Sequence, residues 1–232
     1  MKIFDIDSPL MNVLGKISDL VILNLVTLVM CIPIVTAGAS FTAMHYCCLK
    51  IARDRETGIL KLFFHSFKDN LRQSTAMWLL FLVIVAIFVI DCIFMYTNPT
   101  NLSSYVFGGL IFCMLLVLFI GCMVFPIQAR FVNTITGTIK NAFVFSFKYF
   151  PRTLAILVVK LLPFSLFFIG NGNLGISLFP LIFCFCFSAP GFLAAKLYDK
   201  PFQKFEDAYN EAHPAESYDE EKIFNDVPDE NS

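Results

Sequence analysis

Residues 74–96 read STAMWLLFLVIVAIFVIDCIFMY, with Asp91 near the far end as the only charge. An α-helix rises 1.5 Å per residue, so about 20 apolar residues cross the roughly 30 Å of hydrocarbon in a bilayer. This stretch therefore predicts a transmembrane helix. Residues 105–127, YVFGGLIFCMLLVLFIGCMVFPI, carry no charge and predict a second. Residues 153–170 hold a single lysine, Lys160, and 175–196 hold Pro180 and Pro190, which can kink a span without preventing insertion. A mid-membrane lysine costs about 2.5–3.5 kcal/mol on insertion scales, while each Leu, Ile, Val or Phe contributes about 0.3–0.6 in favour. The dozen apolar neighbours from Leu154 to Ile169 outweigh it, so both stretches read as spans.

Composition agrees. Hydrophobic residues make up 57% of the 232, with 28 phenylalanines and a mean hydropathy of +0.73, more than one soluble core of this length would bury. The net charge of −1 hides a segregation: basic residues gather between apolar runs, and much of the acid lies in the last thirty or so positions. No protein-wide basic field exists, which excludes a nucleic-acid partner. The eight cysteines all lie in apolar runs without CxxC or His spacing, so they read as small packing residues rather than metal ligands.

The N-terminal third predicts a hairpin. Residues 17–34 form one span and 36–53 a second, with Pro33 ending the first helix and the Thr36 hydroxyl capping the next. Gly38, with Ala37, Ala39, Ser40 and Ala43, would let the two backbones approach closely. Residues 1–16 read as an interfacial segment. Two other readings stay open: a signal peptide cleaved after Ala37-Gly38-Ala39, and one long kinked helix that would leave five spans.

The loop before residue 74 holds Lys50, Arg53, Arg55, Lys61, Lys68 and Arg72, and the later one holds Arg130, Lys140, Lys148 and Arg152. The other two connections are uncharged. The positive-inside rule then puts the basic loops and the C-terminus in the cytoplasm. The loops resemble each other: Ser66-Phe67-Lys68 with Arg72 recurs as Ser146-Phe147-Lys148 with Arg152, 80 residues on. Each predicts a short amphipathic interfacial helix anchored by its Lys and Arg, and together they suggest two imperfect parallel repeats. The expected fold is an all-α, polytopic membrane bundle of six transmembrane helices, or five, over residues 17–196. An acidic cytoplasmic tail follows over 197–232, too poor in apolar residues towards its end to fold alone.

Ionisable groups inside a membrane are the default functional candidates. Lys160 would lie roughly 12 Å from the inner boundary and His45 roughly 13 Å from the outer one, at similar depth. Asp91, about 25 Å from the inner boundary, is a poor partner for Lys160. The candidate intramembrane polar site is Lys160, His45, Asn24 and Thr36. The plainer reading has Lys160 snorkelling or bonding a carbonyl freed by Pro163; the sharper has Lys160 and His45 lining a polar cavity. No hydrolase, zinc-protease, nucleotide or dinucleotide motif is present, and no cofactor, metal or catalytic set is expected.

The stretch SDLVILNLVTLVMCIPIVTAGASFTAMHYCCLKIARD, with the FHSFKDNLRQST loop, resembles the YesL-like (DUF624-type) family of bacterial membrane proteins of unknown function. Asn24 and Pro33-Ile34-Val35-Thr36-Ala37-Gly38-Ala39 are its most recognisable pieces. Members are often encoded beside carbohydrate uptake systems, so the resemblance implies an accessory or regulatory role in the cytoplasmic membrane, beside sugar ABC transporter membrane subunits. Two rivals remain: a small-solute transporter with a path lined by Asn24, Thr27, Thr36, His45 and Lys160, and a sensor signalling through the tail.

Overall fold

The computed structural model describes residues 9–53, 58–97, 103–131, 133–165 and 184–212, and these are helical apart from short turns. Seven helices follow in order: α1 (Pro9–Cys31), α2 (Ala37–Ala52), α3 (Ile59–Thr97), α4 (Ser103–Arg130), α5 (Ile135–Lys148), α6 (Phe150–Ser165) and α7 (Ser188–Ala212). The beginning of the 1–16 segment, the uncharged connections at 98–102 and 171–175, much of the 175–196 span and the tail beyond Ala212 lie outside the described residues. Three helices, α1, α3 and α4, are each long and apolar enough to cross a membrane, and α5 with α6, bent by 105°, makes up to four.

Among the described residues, the helices long and apolar enough to cross a membrane do not include α2, which the six-span reading counts as a span. That helix is 16 residues, about 24 Å, and every residue from Ala37 to Ile51 except Phe41 is buried in the protein. It lies alongside the charged half of α3. Cys47 Sγ reaches the Ile59 carbonyl at 3.9 Å, the Thr42 and Ser74 hydroxyls are 2.8 Å apart, and Trp78 Nε1 donates to the Ile34 carbonyl at 2.7 Å. A sequence of small residues, two cysteines and few long side chains suits such a central helix, since neighbours can close on it from every side.

The close approach at Gly38 is to α3, not to α1. A Cβ there would stand 2.5 Å from both the Ser74 carbonyl oxygen and Trp78 Cβ. Gly38→Ala should therefore push α2 off α3 and cost about 1–3 kcal/mol, as overpacking does. A thermal unfolding midpoint in detergent equal to that of the parent would refute this contact.

Thr36 does not cap α2 through its side chain. It sits in a single 3₁₀ turn, Ile34–Thr36, with φ −89° and ψ −1°, so its hydroxyl turns back and donates to the Met30 and Pro33 carbonyls, both at 2.9 Å. Thr36 and Trp78 between them satisfy three carbonyls at the hairpin tip, those of Met30, Pro33 and Ile34.

α3 runs unbroken for 39 residues, about 58 Å, because 59–97 contains neither Gly nor Pro. It starts after Gly58, whose φ of +57° few other residues tolerate. The first predicted interfacial helix is thus the N-terminal half of α3, its Ile59, Leu62, Phe63 and Ser66 packed inside the protein. The second copy does break. At the same offset Leu71 is replaced by Pro151, which cannot donate to the carbonyl four residues back and fits instead in the first turn of a new helix, so the chain turns at Tyr149. α5 ends at Lys148, and α6 departs at 105°. α5 then turns back along α4: the Thr138 hydroxyl donates to Gln128 Oε1 at 2.8 Å, and the Phe147 ring meets that of Phe119 at 6.0 Å. Lys68, Arg72, Lys148 and Arg152 are all exposed.

At the N-terminus, residues 9–16 continue directly into α1 rather than forming a separate segment. At the other end α7 carries the chain through Ala212, so the tail boundary expected at residue 197 falls inside a packed helix. Tyr198 and Phe202 are fully buried, and the Phe202 ring meets those of Phe145 and Phe131 at 4.7 and 5.5 Å.

Candidate functional site

Of the four residues read as an intramembrane polar site, the structure brings two together. Lys160 projects from α6 and His45 from α2, with Nζ 3.2 Å from Nε2. The same ammonium donates to the Cys122 carbonyl of α4 at 2.8 Å. That carbonyl is available because Pro126, four residues on, lacks the N–H that would normally bond it. The expectation that a proline frees an oxygen for Lys160 holds in kind, but the proline is Pro126 on another helix, not Pro163 on its own. Accepting at Nε2 leaves the proton on Nδ1 of the neutral imidazole, and that atom is buried without a partner among the described residues.

Lys160 and His45 line a cavity of about 430 Å³ between α2, α3, α4, α6 and the start of α7, with Ile139 of α5 also in its wall. The remainder of its wall is almost wholly apolar, with Phe41, Trp78, Phe81 and Phe125 as its aromatic part, so it is not the polar cavity expected. Leu80, Ile84 and Leu161 both line it and are 36–48% exposed, so the cavity reaches the protein's apolar outer surface.

Asn24 and Thr36 stand elsewhere. Asn24 is fully buried on α1, and its Oδ1 accepts from the backbone N–H of Phe187 at 3.0 Å and of Ser188 at 3.2 Å. It holds the first turn of α7 from a neighbouring helix, a capping job done across the bundle. Thr36 closes the hairpin tip, and the Thr27 hydroxyl donates within α1 to the Leu23 carbonyl at 2.7 Å. Of the five residues read as a solute path, His45 and Lys160 line the cavity, and Asn24, Thr27 and Thr36 are not part of its wall.

Two polar groupings escaped the sequence reading. Asp199 of α7 accepts from Arg53 Nε at 2.9 Å and from Arg53 Nη2, and stands 3.5 Å from Arg130 Nη1, tying α7 to the ends of α2 and α4. Nearby, Gln128 Nε2 donates to Asn70 Oδ1 at 3.0 Å and its other end accepts from Thr138, linking α3, α4 and α5. A carboxylate placed three residues after Lys196 reads as ordinary headgroup-level charge, and nothing local marks it as a bridge. Among the described residues no group of three or more His, Cys, Asp and Glu stands where it could hold a metal ion. Cys47, Cys48 and Cys122 are buried, and Cys113 is exposed.

No curated protein and no solved structure matches the chain. The model of the family described as "Protein of unknown function, DUF624" matches residues 20–92, from within α1 through most of α3. Over that span the chain is similar to this family, the one its hairpin residues resemble.

Proposed function

We propose that the protein is a multi-pass component of the bacterial cytoplasmic membrane, with its basic ends inside, that serves carbohydrate uptake as an accessory subunit and not as an enzyme. The supporting observation is the outer part of the α3–α4 hairpin. The most apolar window of α3 is only 6% buried by the rest of the chain, so lipid or another protein's helices must cover it. On α4, a Cβ built at Gly108 or Gly109 meets nothing within 4 Å, whereas Gly121 is covered by the Phe81 ring. A small-residue face open to the bilayer suits close approach by a helix of a partner subunit. The family resemblance supplies the carbohydrate part of the reading. The polar groups of α1 and the hairpin tip fit it, since Asn24, Thr27 and Thr36 serve internal bonds.

Copurification from native membranes tests this. A sugar permease subunit should accompany the protein, and Gly108→Leu with Gly109→Leu should cut its recovery at least severalfold while the protein's own yield and elution are unchanged. Recovery of the protein free of any permease, in mild detergent and in cells growing on the sugar, would overturn it. The aromatic cavity is what favours the rival transporter reading, and solute uptake into proteoliposomes holding this protein alone would establish that reading instead.

A further inference from the structure

The Lys160 ammonium has three N–H donors. One goes to the Cys122 carbonyl and one faces His45 Nε2, and the third meets no partner among the described residues. Neither contact brings a negative charge, and no carboxylate among the described residues lines the cavity. A cation held in apolar surroundings without a counter-ion is costly, and a bound anion offsets that cost. The cavity itself, at about 430 Å³, lies within the range of about 300–1,000 Å³ typical of small-ligand pockets. From Met77 to Ile84 its wall on α3 extends about 10 Å along the helix, apolar throughout, and it emerges at Leu80, Ile84 and Leu161 on the outer surface.

We infer that this cavity binds a single-chain amphiphile with a carboxylate head, the head on Lys160 beside His45 and the alkyl chain among Phe41, Trp78, Phe81 and Phe125. One cationic centre with one donor to offer suits a carboxylate. A phospholipid phosphate brings more acceptor oxygens than this end of the cavity can meet, and a second acyl chain that its volume does not hold. The ligand enters from the lipid side, where such acids dissolve. This site is independent of any partner subunit, so it stands or falls apart from the accessory role proposed above.

Trp78 is the only tryptophan in the chain and it lines the cavity, so its fluorescence reports on this place alone. The purified full-length protein, in a neutral detergent, is titrated with dodecanoate carrying a terminal bromine as quencher, and in parallel with the equally labelled dodecanol and with a bromine-labelled phosphatidate. Saturable quenching by the acid is expected, at least tenfold tighter than by the alcohol. Lys160→Met should weaken acid binding at least tenfold and leave the alcohol unchanged, while Lys160→Arg should stay within a few-fold of the parent. Equal quenching by acid and alcohol in the parent protein overturns the inference, even if the methionine variant fails to fold. So does acid binding that a folded Lys160→Met variant retains, and so does tight, Lys160-dependent binding of phosphatidate in place of the acid.

Discussion

Asp199→Ala should lower stability by about 3–5 kcal/mol, the usual cost of removing one partner from a buried charge cluster. The Arg130 and Arg53 side chains are 2% and 9% exposed, so the carboxylate meets both guanidiniums in a place that water scarcely reaches. Asp199 itself is 22% exposed, which lets some solvent compensate and favours the lower end of that range. The unfolding midpoint in detergent should drop by on the order of 10 °C. Asp199→Asn keeps an acceptor of the same shape and should lose clearly less than the alanine variant. Equal midpoints for the alanine variant and the parent would show that α7 is held to α2 and α4 by Tyr198 and Phe202 packing alone.

The second large effect is expected at Asn24. Asn24→Leu keeps the volume but withdraws the acceptor from two backbone N–H groups at the start of α7, at a cost of about 1–3 kcal/mol for each donor left unmet. Amide hydrogen exchange localises the damage. Phe187 and Ser188 should exchange faster by at least tenfold, together with a lowered unfolding midpoint, while the amides in the interior of α3 keep their protection. Unchanged exchange at those two amides would show that Asn24 does not anchor α7.

These two residues mark what a one-dimensional reading sees and misses. Asn24 stands out as a polar residue in an apolar helix, which flags it, but its partners lie more than 160 residues away and make it a structural anchor instead of a ligand group. Asp199 raises no flag, because a charge between Lys196 and Lys200 at the end of a span looks ordinary. The apolar cores of α3 and α4 were legible because burial in lipid needs only length and absence of charge. The continuity of α3 back to Ile59 was not, since Lys61, Lys68, Asp69 and Arg72 look like loop residues until α2 is seen to cover the other side of that helix. α2 is ambiguous in sequence for a related reason. Small residues with few charges suit a span and a buried central helix equally, and only its neighbours distinguish them.

The internal repeat shows how one position redirects a backbone. Ser66 and Ser146 are both buried, and the Lys and Arg that follow are exposed in both copies. With Leu71 the first copy continues as one helix; with Pro151 the second bends by 105° and brings Lys160 onto the Cys122 carbonyl that Pro126 has freed. Two prolines, on α6 and α4, thus set up the one cationic centre of the cavity. The rule that a proline frees a carbonyl four residues earlier predicts such an oxygen from sequence, but which lysine takes it depends on the fold.

The account rests on α3 and α4 crossing the bilayer as an antiparallel pair with the basic helix ends on the inner side. Single cysteines at Lys68, Lys148 and Thr97, each in a background with the native cysteines replaced, can be treated in intact cells with a membrane-impermeant maleimide. Labelling of the Thr97 position alone, with the other two reacting only after permeabilisation, is the predicted pattern. Labelling at Lys68 or Lys148 from outside intact cells would contradict it.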